Sequence, residues 1–184
     1  TELSMSEEVR FSQDEYLRIL ELQFEVAQAL KDKASSDGRW PDAQYLALKL
    51  FAHGASAYWL FQGTNAPVPR STSGAAFTDF GSIAVIARAA LEAYLTFFEV
   101  FVHPRTEDEF EFQYCLWHLA GQVVLEGYEP SDESLTENYL GAQADIAELR
   151  ERLQATKVFA ALTPREKKQV LQGRRRRDWS ETAR

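Results

Sequence analysis

The sequence predicts an all-α protein, and three observations carry that prediction. Four segments have the Ser/Thr-x-x-Glu form of a capping box, beginning at Ser12, Thr106, Ser134 and Thr163. Apolar residues recur at three- and four-residue steps between them, the period of a helix with one buried stripe. No stretch alternates convincingly with period two, and nine glycines with six prolines are few for a chain built on β-turns. The expected architecture is a single bundle of about six helices over residues 1–184, with a central, nearly all-apolar third helix.

The first helix follows the Ser12–Glu15 box, with Phe11 and Tyr16 at the spacing of a hydrophobic staple. Its core stripe is Leu17, Leu20, Phe24, Ala27 and Leu30, and it fades at Ser35–Gly38. Pro41 suits the first turn of a second helix, running through Tyr45, Leu48, Ala52 and Tyr58 to about Gly63. Residues 64–79 contain Pro67, Pro69 and Gly74 without periodicity. They read as a long disordered loop, with a binding loop as the alternative.

A third helix runs from Thr78 or Asp79 to His103, where Pro104 stops it. The Thr106 box opens a fourth, which carries Phe110, Tyr114, Leu116, Trp117, Leu119 and Val123 and ends at Gly127. A fifth runs from Ser134 to about Leu162, and a short sixth has Pro164 at its first position and Gly173 beyond its end. Residues 173–184 read as a basic connector or tail.

Twenty Lys and Arg against twenty-eight Asp and Glu give a net charge of −8, which argues against wholesale coating of nucleic acid. The charge is polarised: residues 165–177 carry +6 and the remainder −14. One cysteine excludes a disulfide framework and a cysteine-built zinc site, and fits a reducing cytoplasm. No charged-then-apolar leader opens the chain. It starts at Thr1, has Met5 as its one methionine, and ends on what looks like a helix start, so it reads as a segment of a longer product.

The third helix holds the most chemistry. Its run of twenty apolar-rich residues, 83–102, is interrupted by Arg88, Glu92 and Glu99, which makes spontaneous membrane spanning unfavourable. On a wheel with Arg88 at 0°, Glu92 falls at about 40°, Thr96 at about 80°, Glu99 at about 20° and His103 at about 60°. These five form one polar seam. It is either a solvated stripe, the commoner fate of charged side chains, or a line of ionisable groups facing a cavity.

His53, His103 and His118 fall on separate helices and make no His-Glu-x-x-His pair. Cys115 and His118 share a face but read as core residues rather than ligands. No phosphate loop follows Gly74 or Gly81, and no Gly-x-Ser-x-Gly elbow is present. No catalytic residue, metal or cofactor is therefore assigned. Arg174, Arg175, Arg176 and Arg177, with Trp179 nearby, are the one nucleic-acid-like feature. Consecutive guanidiniums neutralise phosphates and an indole stacks on a base. The same run is also an ordinary solvated connector, which is the preferred reading.

The stretches Ser82–Phe98 and Phe110–Gly121, with Arg88-Ala89-Ala90-Leu91-Glu92 in the first and Trp117 in the second, resemble a group of uncharacterised bacterial helical proteins. That group is similar to the HEPN helical domains, some of which are ribonucleases in defence and toxin systems. The resemblance implies fold more than activity. The HEPN nuclease motif is Arg, four to six residues, then His, and no arginine stands at that distance before His53, His103 or His118.

Two function classes follow. The first is a cytoplasmic, non-enzymatic interaction domain, associated with defence or toxin–antitoxin systems, that meets a protein partner or a second copy through helix packing. Tyr58 and Trp59 are among its contacts. The second is a HEPN-like RNA-binding or RNA-cleaving protein whose catalytic motif is absent from this chain or lies beyond it. The first is favoured.

Overall fold

A computed structural model describes residues 12–33, 38–66, 75–127 and 136–174. The protein is all-α. Its helices are α1 (Gln13–Lys33), α2 (Arg39–Phe61), α3 (Phe80–Phe97), α4 (Glu107–Gln122), α5 (Thr136–Ala155), α6 (Lys157–Ala160) and α7 (Pro164–Leu171). A π-helical turn, Phe98–Val102, extends α3, and a 3₁₀ turn, Val123–Leu125, extends α4. The chain divides into two compact units, Thr1–Phe97 and Phe98–Arg184.

In the first unit α2 packs against both α1 and α3. The Ser12 box closes in both directions: Glu15 N donates to Ser12 Oγ at 3.2 Å, and Ser12 N donates to Glu15 Oε2 at 2.6 Å. Those bonds stabilise the carboxylate and hold Glu15 below its usual pKa. Phe11, the other half of the expected staple, lies outside the described residues.

Close approach of α1 to α2 is set by Gly54, where an added Cβ would meet Leu20 Cδ2 at 2.7 Å. Tyr16 Oη donates to the Gly54 carbonyl at 3.0 Å across the same seam. Asp79 caps α3, accepting from Ser82 Oγ at 2.6 Å and from Ser82 N at 3.0 Å, and its pKa is lowered by the same two bonds.

The second unit holds the larger core: Phe112, Leu116 and Leu119 of α4 meet Ile146, Leu149 and Leu153 of α5, with Phe159 of α6 and Val170 of α7 closing one end. The Asp108 carboxylate accepts from Lys157 N at 2.9 Å and Val158 N at 3.0 Å, fixing the start of α6 to α4. Arg150 grips Glu126 with two bonds of 2.6 and 3.0 Å and donates to the Leu171 carbonyl at 3.0 Å. Gly173 ends α7 in the left-handed region at φ +62°, against the backbone of α4.

Several expectations are corrected in detail. Residues 64–79 are not loop throughout, since Thr64–Ala66 and Ala75–Phe77 pair as a short antiparallel ribbon, β1 and β2. Residues 67–74 between them lie outside the described residues. The expected core stripe of α1 is only partly covered: Leu20 and Ala27 are buried, whereas Leu17 and Phe24 are exposed. On α2 the buried positions are Ala43, Leu46 and Ala47.

The third helix does not stay α-helical to His103. His103 N bonds the Phe98 carbonyl at 2.7 Å, five residues back, where Pro104 forbids a regular continuation. The expected fifth helix breaks at Thr156, whose hydroxyl donates to Leu153 O at 2.8 Å and accepts from Phe159 N at 3.1 Å, so it caps a new short helix.

The capping boxes differ in completeness. Thr163–Glu166 forms fully. At Thr106 the hydroxyl accepts from Glu109 N at 3.2 Å, but the Glu109 carboxylate takes Arg105 N at 2.7 Å instead of closing the box. Ser134 lies outside the described residues.

Candidate docking face

The two units differ in how much apolar surface they hide. Among the described residues, the buried apolar ones of the first are Leu20, Ala27, Ala43, Leu46, Ala47 and Ala93, two leucines and four alanines. Those of the second number eleven and include Phe112, Leu116, Ile146, Leu153 and Phe159. Exposure runs the other way: fourteen of the eighteen exposed large apolar side chains among the described residues belong to the first unit.

A soluble surface normally carries single apolar residues rather than clusters, so the distribution matters more than the number. On α1, Ile19, Leu22 and Val26 stand at three- and four-residue steps and all remain exposed. They form one wall of a groove of about 250 Å³, floored by Ala47 and Leu50 of α2 and closed by Tyr94 and Phe97 of α3. A second groove of about 420 Å³ is lined by Tyr16 and Gln13 of α1, Tyr58 and Phe61 of α2, and Ile83 and Ala87 of α3. Both are open on an apolar floor.

Along α3 itself Phe80, Ala84, Ala87, Leu91 and Tyr94 recur at steps of four, three, four and three, and all five are exposed. That is the spacing of a helix seam that meets another helix.

The expected polar seam is placed unevenly. Arg88 Nε and Glu92 Oε1 pair at 3.1 Å with their side chains 82% and 61% exposed, so this part is a solvated ion pair worth little stability. Thr96 donates its hydroxyl back to the Glu92 carbonyl at 2.8 Å. Glu99 is buried, at 8% exposure, and His103 is half-buried with its ring 5.9 Å from that of Phe98. The wheel angles assume an unbroken α-helix. From Phe98 onward the wider π turn changes the angle per residue, so Glu99 and His103 no longer follow from it.

Of the basic run, Arg174 is described and exposed, while Arg175, Arg176, Arg177 and Trp179 lie outside the described residues. Tyr58 is half-buried, stacked on Tyr16 at 5.9 Å and accepting from Gln13 Nε2 at 2.6 Å. Trp59 beside it is 70% exposed.

In the second unit polar groups gather around Arg152. Its Nε donates to Glu111 Oε1 at 2.7 Å, Nη1 lies 3.6 Å from Glu148, and the guanidinium sits 6.0 Å from the centre of the Tyr114 ring. Cys115, fully buried, points its thiol at the same Glu111 oxygen at 3.4 Å. The Glu111 bond raises the Arg152 pKa further above its usual value. A shallow pocket of about 340 Å³, lined by Glu107, Asp108, Glu111, Arg152 and Thr156, opens beside it. Its carboxylates are engaged: Glu111 holds Arg152 and Asp108 holds α6. The cluster is a brace between α4 and α5. His118, half-buried, packs at steep angles against Tyr114 and Trp117, at 4.5 and 4.7 Å between ring centres.

Among the described residues no three His, Cys, Asp or Glu side chains are grouped to hold a metal ion, and no helix is long and apolar enough to cross a membrane. The residues that sequence reasoning missed are those of the α3 seam. Their spacing is present in the sequence, but Ile83, Val85, Ile86 and Leu95 between them make the helix apolar nearly all round, so no single stripe stands out. No protein-family model, curated protein or solved structure matches the chain.

Proposed function

We propose that this protein is an interaction module whose first unit docks another protein across the exposed apolar surfaces of α1 and α3. The observation that supports this most directly is the imbalance between the units. A unit that buries two leucines and four alanines while exposing Ile19, Leu22, Val26, Phe80, Leu91 and Tyr94 has little hydrophobic driving force of its own. Because these side chains are already about half covered, burying the remainder against a partner is worth roughly 1 kcal/mol each. Grooves floored by alanine and leucine, with few polar groups to orient a small molecule, suit packing by side chains from another helix.

The test is a charge placed on the seam, made with the chain diluted until any self-association has dissociated, so that the seam is open to the dye. Leu91→Lys leaves the fold unchanged if the side chain serves docking: the circular-dichroism melt stays within a few degrees, and fluorescence of an apolar dye bound to the native protein falls. A melt that collapses makes Leu91 part of a core. Unchanged dye binding removes α3 from the docking surface.

A further inference from the structure

Taking the docking reading as its basis, we infer that the occupant of the α3 seam is the α3 seam of a second copy of this chain, packed antiparallel. The argument starts from side-chain size. With Tyr94 at 0° on the wheel, Ala87 falls at about 20°, Phe80 at about 40°, Leu91 at about 60° and Ala84 at about 80°, one narrow strip. In an antiparallel pair the successive layers bring each of the two seam positions opposite the other. Placing the two-fold axis beside Ala89 sets Ala84 opposite Tyr94 of the copy and Ala87 opposite Leu91 of the copy. Each of these two layers joins one small side chain to one large one, and Phe80 lies beyond them toward the ends of the contact. That is the complementarity a symmetric interface requires of a single surface, because whatever protrudes on one copy must be received by the other.

Charge selects the same occupant. The chain carries −8, so two copies repel except where local charge balances. Within Phe80–Phe97 the only charged residues are Arg88 and Glu92, already paired with each other at 3.1 Å. The seam therefore has no net charge to repel a copy, and no acidic patch to attract a basic partner. Arg88 and Glu92 flank the strip near the two-fold axis, where each cation reaches the carboxylates of both chains. In that position the exposed ion pair acts as the rim of the contact.

Area sets how much of each copy takes part. A free aromatic side chain presents about 200 Å², so the exposed fractions of Phe80 (68%) and Tyr94 (47%) leave about 230 Å² of ring surface per copy. A stable pair needs about 800 Å² from each side, so α3 alone is too small. Leu91 on α3 and Ile19, Leu22 and Val26 across the groove, 41–56% exposed, extend the same apolar surface. Two α3 and two α1 helices then form a four-helix core, in which Ala84 and Ala87 leave room for Tyr94 and Leu91 of the copy.

The experiment uses the whole chain in sedimentation velocity across a micromolar concentration series, with cysteine cross-linking as the second readout. Self-pairing gives a reversible dimer whose dissociation constant rises about thirtyfold or more in Leu91→Glu. Mixing Ala84→Cys with Tyr94→Cys under oxidation gives a disulfide joining the two different chains. Because Cys115 is fully buried, the native chain serves as the uncross-linked control. A native chain that stays monomeric throughout overturns the self-pairing and leaves the docking reading to the dye test above. A dimer unaffected by Leu91→Glu overturns the α3 contact. A dimer in which Ala84→Cys cross-links to itself as readily as to Tyr94→Cys overturns the antiparallel order, and that outcome remains decisive even if Leu91→Glu fails to fold.

Discussion

Replacing Gly173 with alanine isolates one close contact in the second unit. The residue sits at φ +62°, where a side chain crowds its own backbone at a cost of about 1–2 kcal/mol. A Cβ there would also lie 2.7 Å from Val123 Cγ1, 3.1 Å from Ala120 Cα and 3.3 Å from the Leu119 carbonyl oxygen. Only the valine methyl can move aside, since the other two atoms belong to the backbone of α4. Overpacking of this kind costs about 1–3 kcal/mol, which brings the expected loss to about 2–5 kcal/mol. The matched control is Gly141, in the interior of α5 with nothing within 4 Å of its added Cβ. Gly141→Ala removes a weak helix former and gains about 0.8–1 kcal/mol. Urea unfolding followed by circular dichroism separates the two by the sign of the midpoint shift, with the slope unchanged. A Gly173→Ala midpoint equal to or above that of the native chain would refute the packing of α7 on α4.

Two further outcomes are expected. Asp108→Ala removes the acceptor for Lys157 N and Val158 N, lowers stability by about 1–2 kcal/mol, and speeds hydrogen exchange at those two amides. Asp108→Asn, which keeps one oxygen, falls between, and unchanged exchange in both variants would show that α6 does not depend on the carboxylate. Single-stranded RNA in a salt series gives no tight binding to the native chain. A steep salt slope that flattens when Arg174–Arg177 become alanines, or cleavage in the same samples, moves the protein into the nucleic-acid class.

The helices were legible in the sequence where one local signal acted alone. Thr163-Pro164-Arg165-Glu166 carries its whole cap within four residues, and it forms as written. Signals failed where a distant group competes for the same atoms. At the break in α5 the local signal is a single capping threonine, Thr156, and the rest of the support comes from Asp108, forty-nine residues before Lys157. Periodicity on α1 pointed to Leu17, Leu20, Phe24, Ala27 and Leu30, yet Leu17 and Phe24 are exposed while Leu20 and Ala27 are buried. Period reports that a stripe exists, and a helix with apolar residues on two sides offers two stripes with no local cue to which is covered. The candidate site shows the same limit from the other direction. Arg88 and Glu92 drew the eye because they are charged in an apolar helix, while the surface that distinguishes this unit is made of alanine, leucine and aromatic side chains around them.

The outward stripe of α2 has a consequence for how the protein behaves as a colloid. Tyr45, Leu48 and Trp59, at 63%, 37% and 70% exposure, lie on the far side of that helix from Ala43, Leu46 and Ala47. A partner seated on α1 and α3 leaves this second stripe facing water. Contacts that do not close on themselves grow into open chains rather than stopping at two. The excess of negative charge opposes such growth at neutral pH, and it vanishes near the isoelectric point of about 5.0. Solubility is therefore expected to be lowest in mild acid, and a turbidity titration through the isoelectric point, repeated with Trp59→Ser, checks whether the α2 stripe is the surface involved.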